Sequence, residues 1–266
     1  MTSQLLIIGC GNMGGAMLAG WLAAGLSPSR FAVLDPALQS TPEGVALYRT
    51  PDEVPGSHDA VLLGFKPQQL GALAPGLQSV AGSGVAVHYL LAGLTLAQVS
   101  AAFPTAAAYV RVMPNLAARI GKSPIILAEK GLDSEGRKAA FALYDHLGTA
   151  VWLESEERFD LLTALAGSGP GFVYRFIDAL AVAAERLGAR PGEAVALAKT
   201  MVDGASSLAA QADATPDELA DRVASPGGMT REGLDILDAD EALVKLLTET
   251  LDATALRGGE LSAANG

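Results

Sequence analysis

The chain has 266 residues and a formal net charge of −11, long enough for one large or two modest domains and the wrong sign for nucleic acid or an anionic membrane as partner. Half of its residues are hydrophobic and only 18% are charged, an apolar balance that calls for part of the surface to be covered by another subunit. Its single cysteine, Cys10, excludes an internal disulfide and fits a reducing cytoplasm.

In chain order, Gln4-Leu-Leu-Ile-Ile8 reads as a short buried strand, followed at once by Gly9-Cys-Gly-Asn-Met-Gly14 and a helical stretch to Ala24. A strand, a G-x-G-x-x-G turn and a helix form a dinucleotide site. Gly9 makes the tight turn, Gly11 lets the backbone approach a pyrophosphate, and Gly14 permits close helix–strand packing. A second strand, Phe31-Ala-Val-Leu-Asp35, ends in the acid that accepts the hydroxyls of an adenosine ribose. Residues 1–29 carry no charged side chain, yet there is no basic start and glycines interrupt the apolar run, so no signal peptide is expected. Further strands are expected at 45–48, 59–65, 84–90, 107–112, 124–128 and 150–153, with helices near 68–80, 95–102 and 134–147. Residues 67–110 lack every charged side chain, but prolines and glycines cut them into pieces too short to span a bilayer. Continuously apolar strands alternating with helices predict a doubly wound parallel α/β (Rossmann) domain over residues 1–154.

From 155 to 266 the pattern is all helical. Phe172–Leu187 has four charges in sixteen positions, a helix apolar on most of its circumference, which a second chain or a central position in a bundle would bury. The expected fold is therefore α/β, with the Rossmann domain followed by an all-α dimerisation and substrate domain. Near its end, Ser225-Pro-Gly-Gly-Met-Thr230 opens a helical pattern. Read plainly, Ser225 is an N-cap. Read functionally, the free amides of Gly227, Gly228 and Met229 and the positive dipole end hold a small carboxylate without Arg or Lys, while Thr230 offers a hydroxyl beside it.

Six motifs in order, Ile8-Gly-Cys-Gly-Asn-Met-Gly14, Phe65-Lys-Pro-Gln68, Leu91-Ala-Gly-Leu94, Val110-Arg-Val-Met-Pro-Asn115, Ala166-Gly-Ser-Gly-Pro170 and Ser225-Pro-Gly-Gly-Met-Thr230, make the chain resemble the pyrroline-5-carboxylate reductases from about residue 5 to 257. The resemblance implies reduction of 1-pyrroline-5-carboxylate to L-proline with NADPH or NADH. It implies that Ile8, Gly9, Cys10, Gly11, Asn12 and Met13 wrap the cofactor pyrophosphate. Gly64, Phe65, Lys66 and Pro67 then pass near the adenosine-side ribose, and Leu90, Leu91 and Ala92 line the nicotinamide. Ser225, Gly228, Met229 and Thr230 match the loop that holds the substrate carboxylate, the Thr230 hydroxyl reaching the ring nitrogen. The family works as a dimer with interlocked helical domains, often assembled into a decamer. Leu116-Ala117 in place of Thr-Pro, His88-Tyr-Leu-Leu91 in place of small residues, Gly171 in place of Ala and the bulky Met229 depart from the family pattern and bear on pocket shape.

A threonine hydroxyl is too weak an acid to serve as a strong proton source, so Thr230 is expected to orient and hydrogen-bond an iminium protonated from solvent. The helix after Gly169 has no lysine of the kind related β-hydroxyacid dehydrogenases use, and the three histidines and one cysteine lie at no metal-ligand spacing. Lys66 reads as a strand-end residue near the cofactor, Cys10 as a turn residue, and Asn115 either as a loop-holding residue or as a nicotinamide contact. Asp35, with no Arg or Lys following until Arg49, leans towards NADH, while the family leaves NADPH open. Two competing readings remain: a reductase of another cyclic imine or a β-hydroxyacid on the same scaffold, and a nucleotide-binding protein without catalysis.

Overall fold

A computed structural model of the chain describes residues 4–56, 58–82 and 84–264. Eight strands, β1 (Leu5–Ile8), β2 (Phe31–Leu34), β3 (Ala46–Tyr48), β4 (Ala60–Leu63), β5 (Ala86–Tyr89), β6 (Ala108–Met113), β7 (Ser123–Lys130) and β8 (Gly148–Trp152), form one sheet in the order β3-β2-β1-β4-β5-β6-β7-β8. Helices α1 (Asn12–Ala23), α2 (Leu70–Leu77), α3 (Leu96–Ala102), α4 (Ser134–Asp145) and α5 (Phe159–Ala166) belong with it. Strand alternation splits the interior into two cores. Leu6 and Ile8 join Val61, Leu63 and Tyr89 on one face, while Leu5 and Ile7 join Val33, Leu62 and Val110 on the other.

The expected parallel arrangement holds from β3 to β6, but β7 runs antiparallel to β6. The connection between them explains the reversal. Residues 114–122 hold a 3-10 turn, Leu116–Ile120, instead of a crossover helix, and a short link joins antiparallel neighbours. That turn packs tightly on α1, where a Cβ on Gly20 would overlap the carbonyl oxygen of Ala118.

The chain divides into two compact units. One comprises residues up to Ser168 together with those from Ala253 onward, and the other is Gly169–Asp252. Compactness draws the division after Ser168, not after Glu154, because Phe159 of α5 is fully buried in the sheet's own core. The second unit holds α6 (Gly169–Arg186), α7 (Pro191–Ala209), α8 (Pro216–Val223), α9 (Met229–Asp238) and the start of α10 (Ala242–Ala264). Helices α6 and α7 pack on each other around three buried alanines, Ala181, Ala194 and Ala198. Their larger apolar side chains, including Tyr174, Phe176, Leu197 and Leu208, are exposed within the single chain. Among the described residues no helix is long and apolar enough to cross a membrane.

Candidate active site

Strand order reverses between β1 and β4, the point at which an open α/β sheet leaves a crevice at its carboxyl end. Gly9 follows β1 and Gly64 follows β4, and the two meet there: the Gly64 amide donates to Ile8 O at 2.8 Å, and a Cβ on Gly64 would lie 2.5 Å from Gly9 O. Gly9 has φ +85°, and a Cβ there would lie 2.9 Å from the Phe65 nitrogen, so both its conformation and its contacts call for glycine. A Cβ on Gly14 would stand 3.1 Å from Gly9 O, which is the close approach of α1 to the turn. Gly11 differs, since nothing lies within 4 Å of an added Cβ; its backbone faces open space. Gly11 is also the N-cap of α1 and makes no side-chain cap, so the first-turn amides of Asn12 and Met13 point outward as an anion site.

The crevice continues into a cavity of about 550 Å³ lined on one side by Ile8, Gly9, Gly11, Asp35 and Arg49 and on the other by Gly64, Phe65 and Lys66. Open donors at the turn, a cavity at the strand ends and an acid closing β2 are what a dinucleotide needs, so these residues fit the cofactor that the sequence implies. Asp35 is already occupied. Its Oδ2 accepts from Cys10 N–H at 2.9 Å, and its Oδ1 accepts from the amides of Ala37 at 2.9 Å and Leu38 at 3.2 Å. The carboxylate thus ties the glycine turn to the loop after β2. Burial, assisted by the Asp35 charge, pushes the Cys10 thiol up to about 11, so it stays protonated and is no nucleophile.

Leu90, Leu91 and Ala92 follow β5, where Leu91 is buried and Ala92 exposed. Ala92 and Gly93 border a second cavity of about 450 Å³, which reaches Arg111, Met113, Asp160 and Thr163. Arg111 is 3% exposed; its guanidinium donates to Glu156 at 2.7 Å and Asp160 at 3.2 Å and stacks 3.8 Å over Phe159. Glu156 also accepts from Leu96 N–H at 3.1 Å, so one carboxylate anchors the first turn of α3 to β6. Sequence reasoning missed this cluster, although a lone arginine in the wholly buried strand Ala108–Met113 signals that a carboxylate must meet it. Asn115 holds its loop: its Oδ1 accepts from Ala117 N–H at 2.9 Å and its Nδ2 donates to Ala166 O at 2.8 Å.

In the helical unit, Ser225–Gly228 forms a turn with Gly228 N–H donating to Ser225 O at 2.9 Å and Gly227 at φ +69°. Proline at the second position and a left-handed glycine at the third fix that turn, so α9 is capped at Gly228 and not at Ser225. Gly228 has no side chain with which to cap, and the amides of Met229, Thr230 and Arg231 open the helix with no earlier turn to bond. Arg231 pairs with Asp221 and ties α9 back to α8. The Met229 side chain is 95% exposed. Among the described residues no three His, Cys, Asp or Glu side chains gather as a metal site.

The family model for pyrroline-5-carboxylate reductase dimerisation matches residues 156–261. The chain is 31% identical to pyrroline-5-carboxylate reductase 2 of Bacillus subtilis, over 96% of this chain and 93% of that one. It is 32% identical to the pyrroline-5-carboxylate reductase of Methanosarcina acetivorans, over 87% and 88% of the two chains. Among solved structures, a pyrroline-5-carboxylate reductase from Coxiella burnetii superposes with a TM-score of 0.92 at 28% identity, covering 98% of this chain and 99% of that one.

Proposed function

Since the chain belongs to the pyrroline-5-carboxylate reductase family, we propose a division of labour in which the sheet unit holds the cofactor and the Ser225–Thr230 turn holds the substrate. The protein is an NAD(P)H-dependent oxidoreductase that reduces L-1-pyrroline-5-carboxylate to L-proline, and it works as a homo-oligomer. The end-to-end match to the family carries this conclusion.

NAD(P)H supplies the hydride that reaches the C5 carbon of the substrate's C=N bond. Ile8 to Gly14 hold the pyrophosphate through free amides at the start of α1. Asp35, Gly64, Phe65, Lys66 and Pro67 border the adenosine end, and Leu90, Leu91 and Ala92 flank the nicotinamide. The Gly228 amide is spent on Ser225 O inside the turn, so the amides of Gly227, Met229 and Thr230, with the Ser225 side chain, receive the substrate carboxylate, and the helix dipole assists without a cationic side chain. A neutral imine accepts hydride poorly, so the Thr230 hydroxyl orients and hydrogen-bonds the ring nitrogen, protonated from solvent. Most of the acceleration comes from positioning. Segment 155–266 is the dimerisation and substrate segment, the dimer interlocking through its helices with decamers as a further assembly. A single unpaired thiol supports a cytoplasmic setting. Asp35 alone argues for NADH, but its three amide donors leave little bare charge facing a ribose phosphate.

The test is oxidation of the nicotinamide band by purified protein with pyrroline-5-carboxylate beside other cyclic imines. Turnover with none of them ends the reading. Thr230→Ala should lower kcat by about a hundredfold with cofactor binding preserved, and wild-type turnover in that variant removes Thr230 from the chemistry.

A further inference from the structure

Arg49 is the first basic residue after Asp35, and strand pairing brings the two together. Leu34 of β2 is in register with Tyr48 of β3, and Asp35 N–H donates to Tyr48 O at 3.1 Å. The Arg49 side chain folds back over the loop after β2. Its Nη1 donates to Asp35 O at 2.9 Å and to Leu38 O, and its Nη2 donates to Gln39 O at 3.2 Å. None of the ion pairs among the described residues includes Arg49. The nearby Glu53 carboxylate instead accepts from Arg49's own backbone N–H at 2.7 Å.

A guanidinium has five N–H donors in a fixed plane. Three of Arg49's are spent on carbonyl oxygens, which fix its position without cancelling its charge. Nε–H and one Nη2–H remain, on adjacent nitrogens that form the two-pronged edge matching a phosphate. Arg49 also lines the cavity bordered by Gly9, Gly11 and Asp35. Beside it on that cavity wall, the Asp35 carboxylate has three of its roughly four acceptor positions filled by amides. It can still take one ribose hydroxyl, but it repels a phosphate less than a bare acid would.

We infer that Arg49 is the residue that receives a ribose 2′-phosphate, so that the chain accepts NADPH despite the acid closing β2 and discriminates in its favour. This inference rests on the reading of the cavity as the adenosine end of the cofactor site. Arg49 is held by the loop it braces, so its charge is preorganised before the ligand arrives.

The test uses fragments that lack the nicotinamide, 2′,5′-ADP and 5′-AMP, titrated calorimetrically into the full-length protein. Wild type is expected to bind 2′,5′-ADP at least tenfold more tightly than 5′-AMP, with the advantage shrinking as salt rises. Arg49→Leu is expected to reduce that ratio by about 10- to 100-fold, as for the loss of a charge-assisted bidentate pair, and Arg49→Lys to restore part of it. Equal affinities in wild type, or a loss in Arg49→Leu that falls equally on both probes, would overturn the assignment and leave Arg49 as a loop brace. Failure of wild type to bind either probe would instead overturn the cofactor-site reading itself. The wild-type comparison and its salt dependence need no variant, so poor folding of Arg49→Leu does not shield the inference.

Discussion

Glu156→Gln removes one of the two carboxylates that hold the buried Arg111 while preserving shape. The arginine is 3% exposed and its Nε is buried with no partner, so its charge depends on Glu156 at 2.7 Å and Asp160 at 3.2 Å. Two unit charges about 4 Å apart attract by about 4 kcal/mol at an effective dielectric of 20. Glu156 is 26% exposed, so part of that attraction is screened, and Gln still accepts one of the two hydrogen bonds that Glu156 now takes from Arg111 and Leu96. A net loss of about 2 kcal/mol remains, or a fall in Tm of roughly 4–8 °C for a unit of this size. Urea unfolding followed by tryptophan fluorescence reads it directly, because Trp21 and Trp152 both lie in the sheet unit. Protomer concentration must be held fixed. Asp160→Asn, at the longer and more exposed pair, should cost about half as much. If Glu156→Gln unfolds within about 0.5 kcal/mol of wild type at an unchanged m-value, charge is not what holds Arg111, and the anchoring of α3 through Glu156 falls with it.

Gly64→Ala would put a Cβ 2.5 Å from Gly9 O and part the two halves of the crevice. NAD(P)H affinity should drop by about tenfold or more, a loss of at least about 1.4 kcal/mol, with far-ultraviolet circular dichroism unchanged; wild-type affinity would show that the turn tolerates the shift. His88 is buried against Tyr144, with Nδ1 and the hydroxyl 2.6 Å apart, and burial holds its pKa down at about 4 from 6.5. The unfolded chain therefore binds a proton that the folded one refuses. The full contribution of His88 is present above pH 6.5 and is lost as pH falls from there to about 4, a decline of about 3 kcal/mol. Urea midpoints across that range should fall less steeply in His88→Gln than in wild type, and parallel slopes would contradict the assignment.

The alternation of strands and helices was legible because parallel strands covered on both faces are continuous apolar runs, and all eight expected strands occur. The reversal of β7 was not, since direction depends on whether residues 114–122 make a crossover helix, and a five-residue 3-10 turn leaves no periodicity to read. The glycine turn was legible down to individual positions, because Gly9 needs both a positive φ and a missing Cβ. Arg49 was seen only as a distant basic residue. Its approach to Asp35 is set by the register of β2 on β3, a pairing that composition does not encode. The cap of α9 moved from Ser225 to Gly228 for a local reason, the turn that Pro226 and Gly227 impose.

Three buried alanines between α6 and α7, with Ile177, Leu180 and Ala184 half-buried against them, are a thin interior for four helices and the start of a fifth. Methyl groups on that scale offset little of the conformational entropy of ordering the Gly169–Asp252 unit, so most of the free energy that keeps it folded must come from association with like chains. Dilution should then act on this enzyme as heat acts on others. Below some protomer concentration the helical unit should melt while the sheet keeps its shape, and activity should vanish before nucleotide affinity does.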